Sequence, residues 1–340
     1  MSADQLIPVA ESPDPSPVGR AVLDVLAGGR LDEVARGAGM EPVTLSDAVE
    51  VFKQAGGEAL DRQERRTNWW QFYIEFPDWP HAERTAAAHL VPLLGTLQER
   101  GTISLWWFIR KHPCWRLRVH GGPETQVHAE LGTRLDELVK EGHLTRWWPG
   151  IYEPETAAFG GASGMMNAHL LFAADSTQIL TLHSRTDVHL GRRELSALLC
   201  TVMMRAAGLE WLEQGDVWDR VINEEHRTST GKVLEGRLGG MTRQIRELLV
   251  SDTAPDGPVF GDGGPLHPLA EWAAAFHRTG NALKEGVAFG SLDRGIRRVL
   301  AYHVIFHWNR LGLSLGAQSA LALAARTAIL DPPQDAQEPG

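Results

Sequence analysis

The chain has 340 residues, of which 43% are hydrophobic and 22% charged, a composition that favours a globular protein of one large or two modest domains. Its net charge of −10 argues against extended binding to nucleic acid or to an anionic membrane. No secretory signal and no apolar run of about 20 residues is present, and Cys114 and Cys200 lack a metal-ligand spacing, so we expect a cytoplasmic protein with reduced thiols.

The first 66 residues predict a small module that precedes the main domain. Residues 1–16 are acidic and contain prolines, which predicts a flexible tail. Residues 17–66 predict short helices, with Thr44 and Asp47 spaced as a capping box. A helix-turn-helix is one interpretation. Because residues 1–66 hold twelve Asp or Glu and seven Lys or Arg, we favour a docking or packing module over a DNA-binding one.

Residues 69–154 alternate between strand and helix patterns. Four segments rich in aromatic and β-branched residues predict strands, and two segments with apolar periodicity predict helices. In chain order these are a strand at 69–76, a helix at 80–101, strands over TISLWWFIRK and CWRLRVH, a helix at 123–142 and a strand at 144–154. The order β-α-β-β-α-β is typical of the split βαβ unit of ferredoxin-like folds, and we expect a mixed sheet.

From about residue 164 the pattern is helical. Candidate helices occupy 164–183, 190–213, 216–224, 232–251, 266–288, 291–312 and 316–330. We therefore predict an α+β fold, with a domain at 67–330 that has a sheet half (67–160) followed by a mostly helical half (161–330), and a tail at 331–340. Clefts form where such halves meet, so the junction is the expected place for a site.

The segment SLWWFIRKHPCWRLRVH, residues 104–120, places arginines among tryptophans in two predicted strands. Since side chains alternate along a strand, Arg116 and Arg118 share one face. A hairpin through KHP would bring Arg110 near them. Two interpretations remain open: the arginine stems cover a solvated sheet face, or the guanidinium groups form a clamp for a carboxylate or phosphate.

Two further segments carry candidate site residues. YEPETAAFGG (152–161) ends in a Gly pair, which suits a close backbone approach to a ligand or simply a turn between a strand and a helix. In YHVIFHWNRLGL (302–313), His303 and His307 are spaced i, i+4 and Arg310 follows at i+3, so the three line one stripe of a helix. Without an HExxH pattern or an evident third ligand we expect no metal, and a core histidine and a general acid or base both remain open.

Together, WWFIRKHPCWRLRVH, YEPETAAFGG and HVIFHWNRLGL resemble segments of the C-terminal domain of lantibiotic dehydratases in its stand-alone form, the thiopeptide-type bacteriocin biosynthesis proteins, over residues 69–330. The resemblance implies activity on a ribosomally made precursor peptide, without metal or redox cofactor. One such activity eliminates glutamate from glutamylated Ser or Thr and leaves a dehydroamino acid. The other is the aza-[4+2] cyclisation of two dehydroalanines to a pyridine ring.

For elimination, the resemblance implies a role for each candidate residue around one anion-accepting cavity. Arg110 with Arg116 or Arg118 would hold the glutamate, because forked guanidinium donors suit carboxylates. His307 would be the base that removes the α-proton, with His303 as its rival. The other implied contacts to the base or the peptide involve Arg310, Asn309, Tyr152, Glu153 and Arg146, with Trp107 and Trp148 as walls that exclude water.

One departure from the family bears on the reaction. Elimination members tend to carry an arginine within the YE segment and another just before the Gly pair, where this chain has Pro154 and Ala158; Arg146 could replace them. We rank elimination first, because dehydration is the commoner use of this domain, and cyclisation a close second, because of this departure. A non-catalytic leader-peptide-binding subunit of a split dehydratase is third. The expected partners are the precursor peptide (leader and core) and a separate glutamylating subunit, with no direct contact to nucleic acid and none to a membrane.

Overall fold

The computed structural model describes residues 16–182, 184–224 and 235–331. Most of the predicted tails, at 1–16 and 331–340, lie outside the described residues. The chain divides into two compact units, Met1–Thr67 and Asn68–Gly340.

The first unit is built from the helices α1 (Pro17–Leu26), α2 (Leu31–Gly37) and α3 (Pro42–Thr67). Ser16 begins α1, because its hydroxyl accepts a hydrogen bond from the Gly19 N–H at 3.1 Å. A small core holds the helices together: Ala21, Val22, Ala35, Leu45 and Val49. The expected capping box of Thr44 and Asp47 is wrong, since α3 begins at Pro42 and Thr44 already lies within its first turn.

The second unit opens with the order β-α-β-β-α-β, which confirms the split βαβ prediction. Its strands are β1 (Trp69–Glu75), β2 (Ile103–Lys111), β3 (Cys114–Gly121) and β4 (Arg146–Gly150). The helical segment between β1 and β2 comprises α4 (Ala82–Thr85), a π-helical turn (Ala86–Leu90) and α5 (Val91–Glu99), and α6 (Glu124–Lys140) joins β3 to β4.

The strands lie side by side in the order β2-β3-β1-β4, and each neighbouring pair is antiparallel. In this respect the sheet differs from the mixed sheet that the sequence predicts. Each helical crossover joins two parallel strands that are not neighbours, because a strand of the opposite direction lies between them.

The helical part of this unit follows the sheet. It comprises α7 (Ala162–Leu182), α8 (Arg192–Ala206), α9 (Trp211–Asn223), α10 (Glu235–Val250), α11 (Ala270–Ala288), α12 (Ile296–Leu311) and α13 (Leu315–Leu330). The predicted helix 190–213 is divided into α8 and α9 at Gly208, which has a φ of +80° and so adopts a conformation that favours glycine. Across the described residues, no helix combines the length and apolar character needed to cross a bilayer.

Both faces of the sheet contribute to one hydrophobic core. On one face, the Phe72 ring lies 4.9 Å from that of His128 on α6. On the other face, the Trp107 ring lies 4.7 Å from that of Phe172 on α7. The sheet is therefore enclosed by α6 on one side and meets the helical part through α7 on the other.

The helical part also packs along the outer edge of β2. The Ser176 hydroxyl of α7 accepts a hydrogen bond from the backbone N–H of Phe108 at 3.2 Å, which satisfies an amide at the sheet edge. The Gly pair of YEPETAAFGG contacts the loop before α12. There the carbonyl oxygen of Gly160 accepts a hydrogen bond from the Asp293 N–H at 3.0 Å. Gly160 has a φ of +80°, and a side chain there would lie 2.6 Å from Leu292. The turn therefore needs glycine to approach the loop before α12.

Candidate functional site

The register of the β2–β3 hairpin decides which arginines share a face, since residues opposite each other in an antiparallel pair point to the same side. Arg118 lies opposite Trp107, and Arg116 is two residues away on the same strand, so these two share a face as predicted. Arg110 lies opposite Trp115, on the other face. The expectation that the hairpin brings Arg110 beside the other two is therefore wrong, because the tight turn sets a register that alternation alone does not reveal.

Arg118 is a buried cation that no carboxylate contacts by a hydrogen bond in the described part of the chain. It is 4% exposed, and its guanidinium lies between the rings of Trp107 and Tyr152, 4.3 and 4.4 Å from their centroids. Its Nε donates a hydrogen bond to the side-chain oxygen of Gln71 at 2.9 Å, whereas Nη1 has no partner among the described residues. Burial lowers the pKa of Arg118, and Tyr152 and Glu155 act in the opposite direction. The guanidinium remains charged and can accept an anion.

A phenol and an imidazole meet beside Arg118. The Tyr152 Oη and the His169 Nε2 are 2.7 Å apart, and the His169 ring lies 4.3 Å from that of Trp69. Burial, followed by the charge of Arg118, lowers the pKa of His169 to about 3, so the imidazole is neutral. Burial raises the pKa of Tyr152, so the phenol keeps its proton. This pair can pass a proton along one hydrogen bond.

Arg110 binds a main-chain carbonyl at the C-terminal end of α12. Its Nε donates a hydrogen bond to the carbonyl oxygen of Arg310 at 2.7 Å, and its Nη2 donates to Glu83 at 2.5 Å. Glu83 also pairs with Arg192, whose Nη1 donates to the carbonyl oxygen of Leu311 at 3.1 Å. Burial acts to raise the pKa of Glu83, but the two guanidinium groups outweigh it and the pKa is lowered. The charge of Arg110 is therefore already balanced by a carboxylate, and its contacts satisfy the helix end.

Asp175 of α7 organises a second, fully buried polar centre. Its carboxylate accepts hydrogen bonds from Trp272 Nε1 at 2.9 Å and from Arg310 Nε at 2.7 Å. The His307 Nδ1 lies 2.9 and 3.0 Å from the two carboxylate oxygens. Burial acts to raise the pKa of Asp175, but His307 and Arg310 outweigh it and the pKa is lowered. The carboxylate thus fixes the His307 ring, with Nε2 directed away from Asp175.

Several buried nitrogen atoms around this second centre lack hydrogen-bond partners among the described residues. They are both ring nitrogens of His303, Nε2 of His307, and Nη1 and Nη2 of Arg310. Burial, followed by the charge of Arg310, lowers the pKa of His303 to about 3. The Phe172 ring contacts both centres, 4.2 Å from the Arg310 guanidinium and 4.7 Å from the Trp107 ring. In the part of the chain that the structure describes, no hydrogen bond connects the two centres.

A row of aromatic and cationic side chains crosses the face that carries Arg118. The Trp148 ring stacks on that of Tyr73, 5.2 Å apart and nearly parallel. The guanidinium of Arg116 lies 5.6 Å from the Tyr73 ring, and that of Arg146 lies 5.0 Å from the Trp148 ring. Arg146 is exposed and pairs with Glu75 at 2.7 Å. Trp148 is therefore a stacking surface rather than a wall of the Arg118 centre.

Asn309 and Glu153 lie outside both centres. The Asn309 side-chain oxygen accepts a hydrogen bond from Gln318 at 3.1 Å, which ties α12 to α13. Glu153 is exposed. The substrate-binding roles expected for them stay predictions, as do the catalytic roles of His303, His307 and Arg110.

A pocket of about 750 Å³ lies at the start of α12. It is lined by Arg220, Val287 and the segment 292–298, which contain none of the predicted site residues. Its arginines are largely paired; Arg297, for example, bonds Glu213 and Asp216, each at 2.9 Å. No group of three or more His, Cys, Asp or Glu in the described segments is placed to hold a metal.

Among the residues of these centres that sequence reasoning missed are Gln71, Glu83, His169 and Asp175. Only Gln71 had a sequence signal, since it is an amide inside the apolar strand WWQFYIEF, where a polar side chain needs a partner. The other three are single polar residues in helical segments. Their partners lie far away in the sequence; Glu83 and Arg192, for instance, are 109 residues apart.

Comparison with known proteins assigns the chain to one family. The chain matches the family described as lantibiotic biosynthesis dehydratase C-term over residues 69–329. No curated protein shows a match.

Three solved structures resemble this fold. The tRNA-dependent lantibiotic dehydratase MibB from Microbispora sp. 107891 has 20% identity and a TM-score of 0.58, over 78% of this chain and 28% of the MibB chain. TsrL has 17% identity and a TM-score of 0.54, over 78% of this chain and 95% of its own. The pyridine synthase TbtD, from thiomuracin biosynthesis, has 15% identity and a TM-score of 0.53, over 78% of this chain and 98% of its own. At these identities the likeness concerns the fold.

Proposed function

Because the chain belongs to the lantibiotic biosynthesis dehydratase C-terminal family, we propose that it removes glutamate from glutamylated Ser and Thr of a ribosomally made precursor peptide. The products are dehydroalanine or dehydrobutyrine and free glutamate. Family membership places the protein in the biosynthesis of modified ribosomal peptides, and the reaction itself is our proposal. We place it in the cytoplasm, where the precursor peptide is made, with the ester supplied by a separate glutamylating subunit.

The observation that carries the proposal is the buried guanidinium of Arg118, with Nη1 unpaired among the described residues. A glutamyl leaving group departs as a carboxylate and carries a second carboxylate. A charge-assisted hydrogen bond to such a group is roughly twice as strong as a neutral one, and more so where water is excluded. Trp107 and Tyr152, which sandwich the guanidinium, exclude water from two of its sides.

The neighbouring Tyr152 and His169 supply a route for the proton. In the proposed step, the Tyr152 oxygen takes the α-proton of the esterified residue while the Tyr152 hydroxyl proton passes to His169 Nε2. The C–H electron pair forms the Cα=Cβ double bond, and the Cβ–O pair leaves with the glutamate carboxylate. A carboxylate bound to Arg118 cancels part of the positive field that lowers the His169 pKa, so substrate binding favours the proton transfer.

His307 and His303 are the alternative bases. The His307 ring is oriented by Asp175, with Nε2 lacking a partner among the described residues, which is the pattern of an oriented base. Both histidines are 0% exposed. His307→Gln and His169→Gln discriminate the two routes, because only replacement of the true base should lower the rate, on the order of 10²-fold.

The decisive experiment incubates the purified protein with a glutamylated precursor peptide and follows its mass. We expect loss of glutamic acid and a dehydrated product, and a rate that falls on the order of 10²-fold in Arg118→Gln. Arg134→Gln, on the exposed side of α6, is the matched control and should keep the wild-type rate. An ester that stays unchanged in the presence of folded protein would refute the proposal.

The second candidate is pyridine-forming cyclisation, favoured by Pro154 and Ala158 at the positions where elimination members carry arginines. In that reaction the neutral Tyr152–His169 pair would move the protons of two dehydroalanine units. A thiazole-containing peptide with two dehydroalanines tests it. Release of the leader peptide and a pyridine absorbance would assign cyclisation, and recovery of the same peptide intact would rule cyclisation out.

A further inference from the structure

Gln71 occupies the centre of the sheet and touches both elements of the Arg118 centre. It is 2% exposed. Its side-chain oxygen accepts the hydrogen bond from Arg118 Nε at 2.9 Å, and its side-chain nitrogen donates to the carbonyl oxygen of Ile151 at 3.1 Å. The amide therefore joins Arg118 to the segment that carries Tyr152, and both of its ends are used.

The backbone opposite Gln71 leaves room for this arrangement. Gly150 is its partner on β4, and a side chain at Gly150 would clash with the Tyr73 ring and lie 3.1 Å from the Gln71 side-chain nitrogen. The glycine is therefore required first by the Tyr73 ring, and it also leaves the Gln71 amide room to reach the Ile151 carbonyl.

Two other arginines with largely or fully buried side chains, Arg110 and Arg310, have a different kind of partner. Arg110 is paired with Glu83 at 2.5 Å, and Arg310 with Asp175 at 2.7 Å. In both cases a carboxylate balances the guanidinium charge, which is the usual arrangement for a buried cation. Arg118 is held by an amide, which accepts a hydrogen bond but brings no charge.

We propose that Gln71 is a positioning residue that fixes the Arg118 guanidinium without neutralising it, so that Arg118 stays available to a carboxylate of the substrate. The inference rests on the anion-holding role proposed above for Arg118. A carboxylate at position 71 would lie at ion-pair distance from Nε and would compete with the ligand. An apolar side chain there would leave the charge intact but release the guanidinium from its fixed direction.

The test measures the affinity of free L-glutamate by titration calorimetry for wild type, Gln71→Glu and Gln71→Met. We expect the order wild type, then Gln71→Met, then Gln71→Glu, with the last weaker than wild type by on the order of tenfold or more. An affinity of Gln71→Glu within twofold of wild type overturns the inference. So does a Gln71→Met that binds more weakly than Gln71→Glu, because the charge at position 71 would then be unimportant.

Kinetics with the glutamylated peptide separate positioning from a structural defect. In Gln71→Glu we expect the KM to rise and kcat per folded molecule to fall, because the added carboxylate competes for the guanidinium that holds the substrate and stabilises the leaving group. Values of KM and kcat that both match wild type contradict the inference. Circular dichroism and the Tm identify any unfolded variant. If Gln71→Glu is unfolded, the glutamate affinities of wild type and Gln71→Met are compared. Wild type that binds glutamate but leaves the ester intact refutes the proposed reaction and retains this inference, whereas wild type that does not bind glutamate refutes the inference.

Discussion

Arg110 of β2 donates a hydrogen bond to the main-chain carbonyl of Arg310, with 2.7 Å between Nε and the oxygen and 200 residues between them in sequence. This contact joins the sheet to the last turn of α12, the helix that also carries His303 and His307. Glu83 balances the charge of Arg110 and anchors it. The position of α12 against the sheet therefore depends on a buried ion-pair cluster.

Glu83→Gln should lower the free energy of unfolding by roughly 3 kcal/mol, because it leaves the buried guanidinium of Arg110 and the half-buried one of Arg192 without a counter-charge. Urea unfolding at neutral pH measures the change. Glu137→Gln, which removes the carboxylate of an exposed pair with Arg134, should cost less than about 1 kcal/mol. Equal losses in the two variants would show that the Glu83 cluster has no special structural role.

Arg118→Met should change stability far less than Arg110→Met. Removal of Arg118 takes away a buried charge that no carboxylate balances in the described part of the chain, and the loss of its bond to Gln71 costs about 1–2 kcal/mol at most. Arg110→Met instead removes one of the two guanidinium partners of the Glu83 carboxylate and the hydrogen bond to the Arg310 carbonyl at the end of α12, at roughly 3 kcal/mol. Urea unfolding of both variants provides the comparison, and a larger loss for Arg118→Met would contradict it.

The order of elements was predictable because local patterns report it. Aromatic and β-branched runs marked the strands, and the β-α-β-β-α-β order predicted the split βαβ sheet that the structure contains. Alternation also placed Arg116 and Arg118 on one face correctly. The division at Gly208 was missed, because a glycine within an apolar periodic segment is compatible with a continuous helix.

The site was only partly predictable, because its partners are distant in sequence. Periodicity gives the face of Arg118 but not the identity of the side chain that meets it. The amide of Gln71 inside WWQFYIEF signals that it needs a partner, but nothing local identifies Arg118 as that partner. Likewise, the stripe of His303 and His307 was visible as an i, i+4 pair. That Asp175, 132 residues earlier, fixes the His307 ring follows only from the packing of α7 on α12.

Gly160→Ala should destabilise the junction between the Gly-pair turn and the loop before α12. Gly160 has a φ of +80°, which costs a residue with a side chain about 1 kcal/mol, and the added carbon would lie 2.6 Å from Leu292. We expect a total loss of roughly 2–4 kcal/mol in urea unfolding. Gly95→Ala in α5, where the added carbon meets nothing within 4 Å, should instead be neutral or stabilising by about 0.5–1 kcal/mol. The reverse order would contradict the described turn.

The buried histidines should make the fold sensitive to acid. Burial, followed by a neighbouring arginine charge, lowers the pKa of His303 and of His169 to about 3, against an ordinary value of 6.5. Between those values the unfolded chain binds protons that the folded chain does not. The free energy of unfolding therefore falls as pH decreases from 6.5 towards 3, by at most about 1.4 kcal/mol per pH unit for each histidine.

His303→Leu isolates one of these contributions. The His303 ring lies among aromatic rings, 4.9 Å from Phe159, and its nitrogens have no hydrogen-bond partner among the described residues, so the variant should fold normally at neutral pH. Urea unfolding between about pH 4.5 and 6 should give a slope reduced by close to one proton relative to wild type. Carboxylates with lowered pKa values, such as Asp175, also lose stabilising charge in acid, but they are common to both proteins and cancel in the difference. If His303→Leu keeps the wild-type slope, the imidazole is protonated or hydrated in the folded state, and its role as a neutral core residue is wrong.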